Sequence, residues 1–205
     1  MITVQTVVSL SQFRSCLDMR YKIYSQLGYI ESAHGWDLDA FDWTSIHFAA
    51  TNENQALVGT VRLILADTES SKASELESSE RWCSNLLKIC KMDIVRSNTL
   101  PILETLKENH IFSQKMPAER PAELSRIMVA PGFREKGICR MLSNAAVTKA
   151  MELGRDVLFL QCLPCHVKLF SKMGYQPIFQ SLDYRFLTVP DRIVAMRMDL
   201  SPHIR

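Results

Sequence analysis

The stretch that decides the fold, residues 123–140, reads ELSRIMVAPGFREKGICR. Its apolar beginning predicts a β-strand, and Pro131 with Gly132 predicts a turn where that strand ends. A basic loop then surrounds Gly137 and leads into a helical pattern. Because a helix N-terminus presents unpaired amides and a positive partial charge, the loop predicts a site for a phosphate or pyrophosphate group.

The residues around this stretch predict an α+β domain. Apolar residues at helical spacing predict a helix from Met141 that stops at Gly154, and the apolar run Asp156–Leu163 predicts a strand that forms a central parallel pair with the first one. We expect an α+β fold (an α/β sandwich), with one domain over residues 1–205 and a mixed, mostly antiparallel sheet of about seven strands flanked by helices. Further strands are predicted at Ile2–Val8, Ile46–Thr51, Ala56–Leu65, Gln176–Leu187 and Arg192–Leu200, and further helices at Phe13–Leu27, Trp82–Lys91, Leu100–Asn109 and just before Tyr175.

Several segments outside the regular elements carry their own expectations. The segment Tyr29–Trp43 is predicted to be irregular, either as a surface loop or as part of a site. The Ser- and Glu-rich segment Thr68–Ser79 predicts an excursion of the chain, and it opens a helical insertion at about residues 67–121. Long connections of this kind are often functional lids. In the second hairpin strand, Gly59 predicts a bulge or a close approach by another group, and Arg62 predicts a solvated side chain.

The bulk composition excludes several classes of protein. Apolar residues make up 47% of the chain and charged residues 22%, which is typical of a globular domain. The net charge of +2 gives no reason to expect nucleic-acid binding. No apolar run is long enough to span a bilayer, and residues 1–10 lack the basic region and cleavage site of a signal peptide. We therefore expect a cytoplasmic protein without integral membrane association, whose six cysteines are reduced.

The basic loop matches an acyl-donor signature. The residues Arg134-Glu135-Lys136-Gly137-Ile138-Cys139 resemble the Gln/Arg-x-x-Gly-x-Gly/Ala loop of the GCN5-related N-acyltransferases, and Cys139 departs at the last position. The lead-in Val129-Ala130-Pro131 and the later Lys172-Met173-Gly174-Tyr175 are also similar to that family. The resemblance implies a GNAT-like acyltransferase fold and an acyl-phosphopantetheine donor, with no covalently bound cofactor and no metal. The donor-binding residues that it implies are Val129, Arg134, Lys136, Gly137, Ile138, Cys139 and Arg140.

Residues of the amino-terminal half narrow this resemblance. The sequence contains, in order, Arg20, Trp36, Asp39-x-x-Asp42, Gly59-x-x-Arg62-Leu63 and Glu123-x-x-Arg126. In that order they are similar to the acyl-homoserine-lactone synthases and to the long-chain N-acyl amino acid synthases, which both take fatty acyl groups from acyl carrier protein. The better-kept phosphate loop and the Gly174-Tyr175 ending favour the N-acyl amino acid synthases.

The function implied is transfer of a long-chain acyl group from acyl carrier protein or acyl-CoA to the amine of an amino acid. The first alternative is an autoinducer synthase, which makes acyl-homoserine lactones from S-adenosylmethionine. The second alternative is a non-catalytic sensor that binds an acyl ligand. Two departures leave room for a sensor, namely Cys139 and Phe170, the latter standing where many coenzyme-A acyltransferases place a tyrosine acid.

Glu123 is the candidate general base, with Arg126 as its catalytic neighbour. Attack on a thioester needs a deprotonated amine, and carboxylates on this strand serve as bases in the acyltransferases that the sequence resembles. The alternative is that Glu123 only pairs with Arg126, Arg62 or Arg20. Backbone amides of the strand beyond Arg126 are the expected donors to the oxyanion.

The acceptor site is expected to use residues of the amino-terminal half, including Trp36. Asp39 and Asp42 are candidates to hold the ammonium group of the acceptor or to order the segment above the site. Arg20 or Arg62 is a candidate to bind a carboxylate of the acceptor through two parallel hydrogen bonds.

The motif Cys162-Leu163-Pro164-Cys165-His166 matches haem-attachment and redox patterns. Haem attachment requires an exported chain, and zinc requires two further ligands at suitable spacing, so we interpret both cysteines as small buried residues at a strand–helix junction. The apolar residues at 158–160 are interpreted mainly as core, with an acyl tunnel as the alternative.

Overall fold

The described part of the chain folds around a seven-stranded sheet. The computed structural model describes residues 1–30, 35–65, 74–90, 94, 97, 99–103, 120–178 and 193–200. Within these ranges the strands Pro121–Val129 and Val157–Cys162 are parallel, and all other neighbouring strands are antiparallel. The predicted α+β fold with a mixed, mostly antiparallel sheet is therefore confirmed. Across the sheet the strands are β1 (Thr3–Thr6), β2 (Ser45–Thr51), β3 (Leu57–Leu65), β4 (Pro121–Val129), β5 (Val157–Cys162), β7 (Val194–Asp199) and β6 (Gln176–Pro177).

Helices cover both faces of this sheet. Along β2, Ala49 packs in one apolar cluster and its neighbours Phe48 and Ala50 pack in another, because successive side chains of a strand point to opposite faces. The first cluster includes residues of the helices Leu10–Gln26 and Ser74–Cys90, and the second includes residues of the helix Ile138–Glu152. None of the helices in the described ranges has the length and apolar character needed to cross a bilayer. The helices are α1 (Leu10–Gln26), α2 (Ser74–Cys90), α3 (Ile138–Glu152) and α4 (Val167–Ser171).

Helix α2 begins earlier than the sequence predicts. The Ser- and Glu-rich segment was expected to be an excursion up to Ser79, but its residues from Ser74 onward are helical. Ser79 is buried and donates from Oγ to the carbonyl oxygen of Ser45 at 2.8 Å, and Trp82 and Leu86 of the same helix are also buried. Tertiary contacts therefore stabilise a helix whose composition alone favours a turn.

Two predicted elements are described only at their beginnings. Residues 101–103 of the predicted helix at Leu100–Asn109 are helical, and residues 104–109 lie outside the described residues. The predicted strand at Gln176–Leu187 is a strand at Gln176–Pro177, and residues 179–187 also lie outside. Most of the proposed insertion at about residues 67–121 is likewise outside the described part, so its role as a lid stays a prediction.

The sheet divides between its two parallel strands. Pairing of β4 with β5 runs from Pro121 opposite Val157 to Leu124 opposite Leu160. Beyond Leu124, β4 continues to its end paired with β3, and β5 continues paired with β7. Within the described residues, the facing edges of the two strands are therefore unpaired past this point, and a gap opens toward the loop before α3.

A β-bulge lies in β4 beside this gap. Thr60 pairs with Met128 and Arg62 pairs with Ser125, so β4 carries one more residue than β3 between these pairs. Arg126, within the bulge, has a φ of 53°, a left-handed backbone conformation that is uncommon for a residue with a side chain. The bulge changes the direction in which the Arg126 side chain leaves the strand.

Gly59 lets α3 approach the sheet closely. A Cβ atom at this position would lie 3.0 Å from Cδ1 of Leu142 and 3.2 Å from Cγ2 of Ile138, both on α3. The pairing of β2 with β3 also shifts register beside Gly59, between Ala50 and Thr51. Both the close approach and the irregularity predicted for this glycine are confirmed, and they place the N-terminus of α3 against β3.

Candidate active site

Three arginines and three aspartates form a buried network on the face of the sheet that α1 covers. The arginines come from α1, β3 and β4, and the aspartates come from the irregular segment before β2. The arginines and all but one of the aspartates are nearly inaccessible, and the exception, Asp39, keeps 24% of its side chain exposed. The network consists of Arg20, Arg62, Arg126, Asp37, Asp39 and Asp42.

Asp42 is the centre of this network. Its Oδ1 accepts from Nη1 of Arg20 at 2.7 Å and from Nη1 of Arg62 at 2.8 Å. Its Oδ2 accepts from Nη2 of Arg20 at 3.2 Å and from the backbone amide of Asp39 at 2.8 Å. Asp42 therefore joins α1 to β3 and also fixes the conformation of its own segment.

Asp39 and Asp37 connect the remaining arginines. Asp39 accepts from Arg62 through both of its oxygens, at 2.6 and 2.9 Å, and from Nη2 of Arg126 at 2.9 Å. Asp37 accepts from Nε of Arg20 at 2.9 Å and from Nε of Arg126 at 2.8 Å. Cζ of Arg126 also lies 5.0 Å from the centre of the Tyr24 ring, a distance suitable for a cation–π contact.

The network is electrically balanced and stays ionised. Burial alone would raise the pKa of Asp42, but the charges of Arg20 and Arg62 outweigh it and hold that pKa below its ordinary value. Burial likewise opposes the charges of Arg62 and Arg126 at Asp39, and again the arginines lower the pKa. Three positive and three negative groups then leave no excess charge among these residues.

Two expectations about these residues need correction. The segment Tyr29–Trp43 is not a surface loop where it is described, because Asp37 and Asp42 are 6% and 0% exposed. Arg62 is not a solvated side chain, since it is 1% exposed and pairs with two aspartates. A charged residue on a sheet face covered by a helix is buried, and burial requires partners of opposite charge.

His47 and Trp36 border the network. Nε2 of His47 lies 3.8 Å from Oδ1 of Asp42, and its ring packs edge-on against Phe13 at 4.7 Å between ring centres. Burial lowers the pKa of His47 to about 4, so the ring is neutral at pH 7. Trp36 is half-buried against the apolar cluster under α1, and Cζ of Arg14 lies 5.7 Å from its ring centre. The structure thus places Trp36 beside the network rather than in it.

Glu123 lies on β4 at the start of the gap and outside the arginine network. Its side chain is 2% exposed. Oε2 accepts from the backbone amide of Ile102 at 2.8 Å, and Oε1 accepts from Nε2 of Gln161 at 3.2 Å. Burial raises the pKa of Glu123 to about 7, although these two hydrogen bonds and the charges of Arg62 and Arg126 oppose the rise. A carboxyl group with such a pKa exchanges protons readily near neutral pH.

The basic loop presents the N-terminus of α3 at the other end of β4. Gly137 is the N-cap residue with a φ of 76°, and it makes no side-chain hydrogen bond to the first amides of α3. A Cβ at Gly137 would meet no atom within 4 Å, so the backbone here is open to approach. Nε of Arg134 donates to the carbonyl oxygen of Val129 at 3.4 Å, and Nζ of Lys136 donates to that of Gly132 at 3.1 Å.

Residues next to Gly137 add charge and leave room. Arg134 and Lys136 on this loop and Arg140 in the first turn of α3 are exposed, and no acidic residue is bonded to them in the described part of the chain. Ile138 is buried beneath the loop. Cys139 is partly buried, and burial raises the pKa of its thiol to about 11, so it is a neutral and unreactive side chain. Open amides with positive surroundings form a suitable site for a phosphate group.

The remaining candidates from the sequence have simpler roles. Cys162 is buried against Met196, with 3.6 Å between the sulfur atoms, as expected for a core residue. Cys165 was expected to be buried as well, but it is exposed in the helical turn Pro164–His166 that follows β5, and both cysteines are free thiols. Phe170 is buried and packs edge-on against Tyr175 at 6.0 Å between ring centres.

Sequence reasoning missed three contributors to this site. Asp37 belongs to the network, Gln161 holds one oxygen of Glu123, and Ile102 holds the other through its backbone. A polar Gln161 within the apolar strand Val157–Cys162 was the available signal, because polar residues on buried strands require a partner. A backbone donor such as Ile102 leaves no signal in a sequence.

The relatives of this chain agree with the described fold. The profile of the acetyltransferase (GNAT) domain family matches residues 19–144. Over 60 residues, 29% of this chain, the sequence is 40% identical to the [citrate [pro-3S]-lyase] ligase of Klebsiella pneumoniae, and the match spans only 18% of that ligase.

Solved structures extend the likeness to nearly the whole chain. FeeM, an N-acyl amino acid synthase from uncultured soil microbes, matches 98% of this chain and 91% of its own, with 14% identity and a TM-score of 0.63. The AHL synthase LasI matches 98% of this chain and 91% of its own, with 13% identity and a TM-score of 0.65. The predicted resemblance to this branch is thus confirmed for the fold. By its family match, the chain belongs to the acetyltransferase (GNAT) domain family.

Proposed function

We propose that this chain is an N-acyltransferase that moves a long-chain acyl group from acyl carrier protein, or from acyl-CoA, to the amine of an amino acid. One observation carries the proposal. A buried carboxyl group with a pKa of about 7, Glu123, lies where β4 and β5 separate, and the open N-terminus of α3 lies at the far end of the same gap. A base at one end and an anion site at the other suit a phosphopantetheine thioester laid along β4.

The donor would bind through the loop and the gap. The phosphate lies at the amides of Gly137, Ile138 and Cys139, with Arg134 and Lys136 supplying positive charge, and Val129 and Arg140 flank it. The pantetheine arm follows the unpaired edge of β4, which offers backbone hydrogen bonds of the kind a neighbouring strand would make. This route brings the thioester to the part of β4 that contains the bulge.

The chemical step is attack of the amine nitrogen on the thioester carbon. Ionised Glu123 takes a proton from the amine, directly or through water, so that the nitrogen lone pair forms the new C–N bond. Backbone amides of β4 beyond Arg126 stabilise the oxyanion, and the C–S bond then breaks to release a thiolate. Phe170 supplies no proton, and the thiolate of the donor leaves without one because thiols are much more acidic than alcohols, with a pKa of about 8.5.

The acceptor would meet the one accessible part of the buried network. The terminal nitrogens of Arg20 and Arg62 already pair with aspartates, so in this proposal the two arginines support the site rather than bind a carboxylate of the acceptor directly. Asp39 is partly exposed and offers a carboxylate to the ammonium group, with Asp42 holding its backbone and Trp36 beside it. The enzyme would then act in the cytoplasm, where its donors occur.

The deciding experiment is incubation of the purified protein with acyl-acyl carrier protein and acyl-CoA, each in the presence of amino acids or S-adenosylmethionine. An N-acyl amino acid supports the proposal, and mass spectrometry identifies the acyl length and the acceptor. An acyl-homoserine lactone would instead establish the alternative that the similarity to the AHL synthases favours. Tight donor binding without product from any amine would support a sensor.

Glu123→Gln tests the role of the base. We expect turnover to fall by about 100-fold or more, since general base catalysis typically contributes that much. Donor affinity should change little because the loop at Gly137 is distant along β4. Turnover equal to that of the unmodified protein would refute this role for Glu123.

A further inference from the structure

Gln161 stands at the edge of the gap with its amide turned toward Glu123. It follows Leu160, which is the last residue of β5 paired with β4. Its Nε2 donates to Oε1 of Glu123 at 3.2 Å, whereas its own Oε1 is buried and has no hydrogen-bond partner within the described part of the chain. Buried amide oxygens without a donor are uncommon in folded proteins.

The orientation of this amide has an electrostatic cause. Turning it over would place its oxygen against a carboxylate oxygen, and an ionised carboxylate only accepts hydrogen bonds. The observed orientation therefore keeps the hydrogen bond to ionised Glu123 and leaves the amide oxygen of Gln161 without a donor among the described residues. Gln161 donates to the Glu123 carboxylate and leaves its own amide oxygen without a hydrogen bond within the described ranges, so its role is more than packing in the core.

The other groups near Glu123 do not duplicate the hydrogen bond that Gln161 donates to it. Oε2 is held from the opposite side by the backbone amide of Ile102. Arg62 on β3 and Arg126 on β4 contribute weaker attraction through space, and both pair with aspartates. Arg197 on β7 lies in the same cross-strand row as Glu123, but Phe159 stands between them. Gln161 is thus the one side chain in the described ranges that donates a hydrogen bond to this carboxylate.

We propose that Gln161 is a positioning residue for acyl transfer, which holds the Glu123 carboxylate ionised and fixed at the mouth of the gap between β4 and β5. This inference rests on the proposed function, in which Glu123 removes a proton from the amine. A donor to a carboxylate favours its charged form, so the hydrogen bond from Gln161 lowers the pKa that burial raises. Gln161 would therefore decide at which pH the base is available.

The test compares Gln161→Met with Cys162→Ala. Methionine keeps the length of the side chain and removes both hydrogen-bonding atoms, while Cys162 is the next residue of β5 and belongs to the core on the other face. The carboxyl resonance of Glu123, assigned with the Glu123→Gln variant, is followed by carbon NMR as the pH is changed. We expect the midpoint to rise by about one pH unit in Gln161→Met and to stay in place in Cys162→Ala.

Turnover gives a second readout. With a midpoint about one unit higher, kcat of Gln161→Met at pH 7 should fall about fivefold and should recover as the pH approaches about 9. A purely structural role for Gln161 would lower kcat equally at every pH. Gln161→Leu is measured in the same way if the methionine variant does not fold.

An unchanged midpoint in Gln161→Met, or a loss of turnover that no pH restores, would overturn the inference. These outcomes are separate from failure of the proposed function. If the unmodified protein transfers no acyl group, or if Glu123→Gln keeps full turnover, the proposed function fails. The NMR midpoint still decides, without any activity, whether Gln161 controls the ionisation of Glu123.

Discussion

Replacing Asp42 by asparagine should destabilise the protein severely. Asp42 is 0% exposed and accepts four hydrogen bonds, three of them from Arg20 and Arg62. Asp42→Asn removes the negative charge, turns one acceptor into a donor that faces these guanidinium groups, and leaves the network with an excess positive charge. Removing one partner of a buried ion pair typically costs about 3–5 kcal/mol. The free energy of unfolding typically decreases by about 2 kcal/mol per molar urea, so the midpoint of urea unfolding should fall by roughly 2 M.

The matched control is Asp18→Asn on α1. Asp18 pairs with Lys22 at 2.7 Å, but the two side chains are 44% and 66% exposed, so its loss should change stability by less than about 0.5 kcal/mol. Urea unfolding of the three proteins, followed by tryptophan fluorescence, measures the difference. If the midpoint of Asp42→Asn lies within roughly 0.3 M of that of Asp18→Asn, the network does not stabilise this face of the sheet.

The same network fixes the sign of the acid response. Arg20 and Arg62 hold the pKa of Asp42 below its ordinary value against the effect of burial. The stability that this carboxylate contributes is therefore present above its unfolded pKa of about 4 and is lost as the pH falls below that value. Asp42→Asn should consequently show a weaker loss of stability than the unmodified protein between about pH 4 and pH 2.

Three further predictions address the candidate site. Glu123→Gln should stabilise the protein at pH 8 by on the order of 3 kcal/mol, because a carboxyl whose pKa is raised from 4.5 to about 7 destabilises the folded protein as the pH rises through that interval. An unchanged urea midpoint at pH 8 would contradict this prediction. Gly137→Ala should cost about 1 kcal/mol from its left-handed backbone and should raise KM for the acyl donor, whereas an unaltered KM would argue against donor binding at this loop. Arg134→Glu should raise KM for the donor more at 10 mM salt than at 500 mM, and the exposed control Lys22→Glu should leave it unchanged; equal effects of the two charge reversals would point to net charge alone.

The parts of the fold that follow from local patterns were predictable. The capping of α1 illustrates this, since the Oγ of Ser9 accepts from the amide of Gln12 at 3.2 Å and Gly28 follows the helix with a φ of 72°. Gly59 is a second case, because a glycine in a strand indicates a close approach that α3 indeed makes. The predicted start of α2 was wrong, because the helix begins where the burial of Ser79 stabilises it, and that burial is a tertiary contact.

The sequence predicts which residues form the candidate site better than it predicts which of them contact one another. The resemblance to acyltransferases selected Arg20, Asp42 and Arg62, which the structure brings together. It assigned these arginines to an acceptor, whereas their hydrogen bonds go to aspartates. Pairing Glu123 with an arginine was also an open alternative, and the described hydrogen bonds of its carboxylate go to Gln161 and Ile102 instead. Which charges meet inside a fold depends on distances that no spacing along the chain provides.

The contact between Ile102 and Glu123 makes the carboxyl group depend on a peptide nitrogen rather than on a side chain. Every residue except proline carries this backbone donor, so the hydrogen bond itself requires no particular side chain, and it is the apolar core around Ile102 that restricts the residue type there. The hydrogen bond to the carboxyl oxygen of Glu123 is therefore kept by any change at Ile102 that leaves its backbone in place.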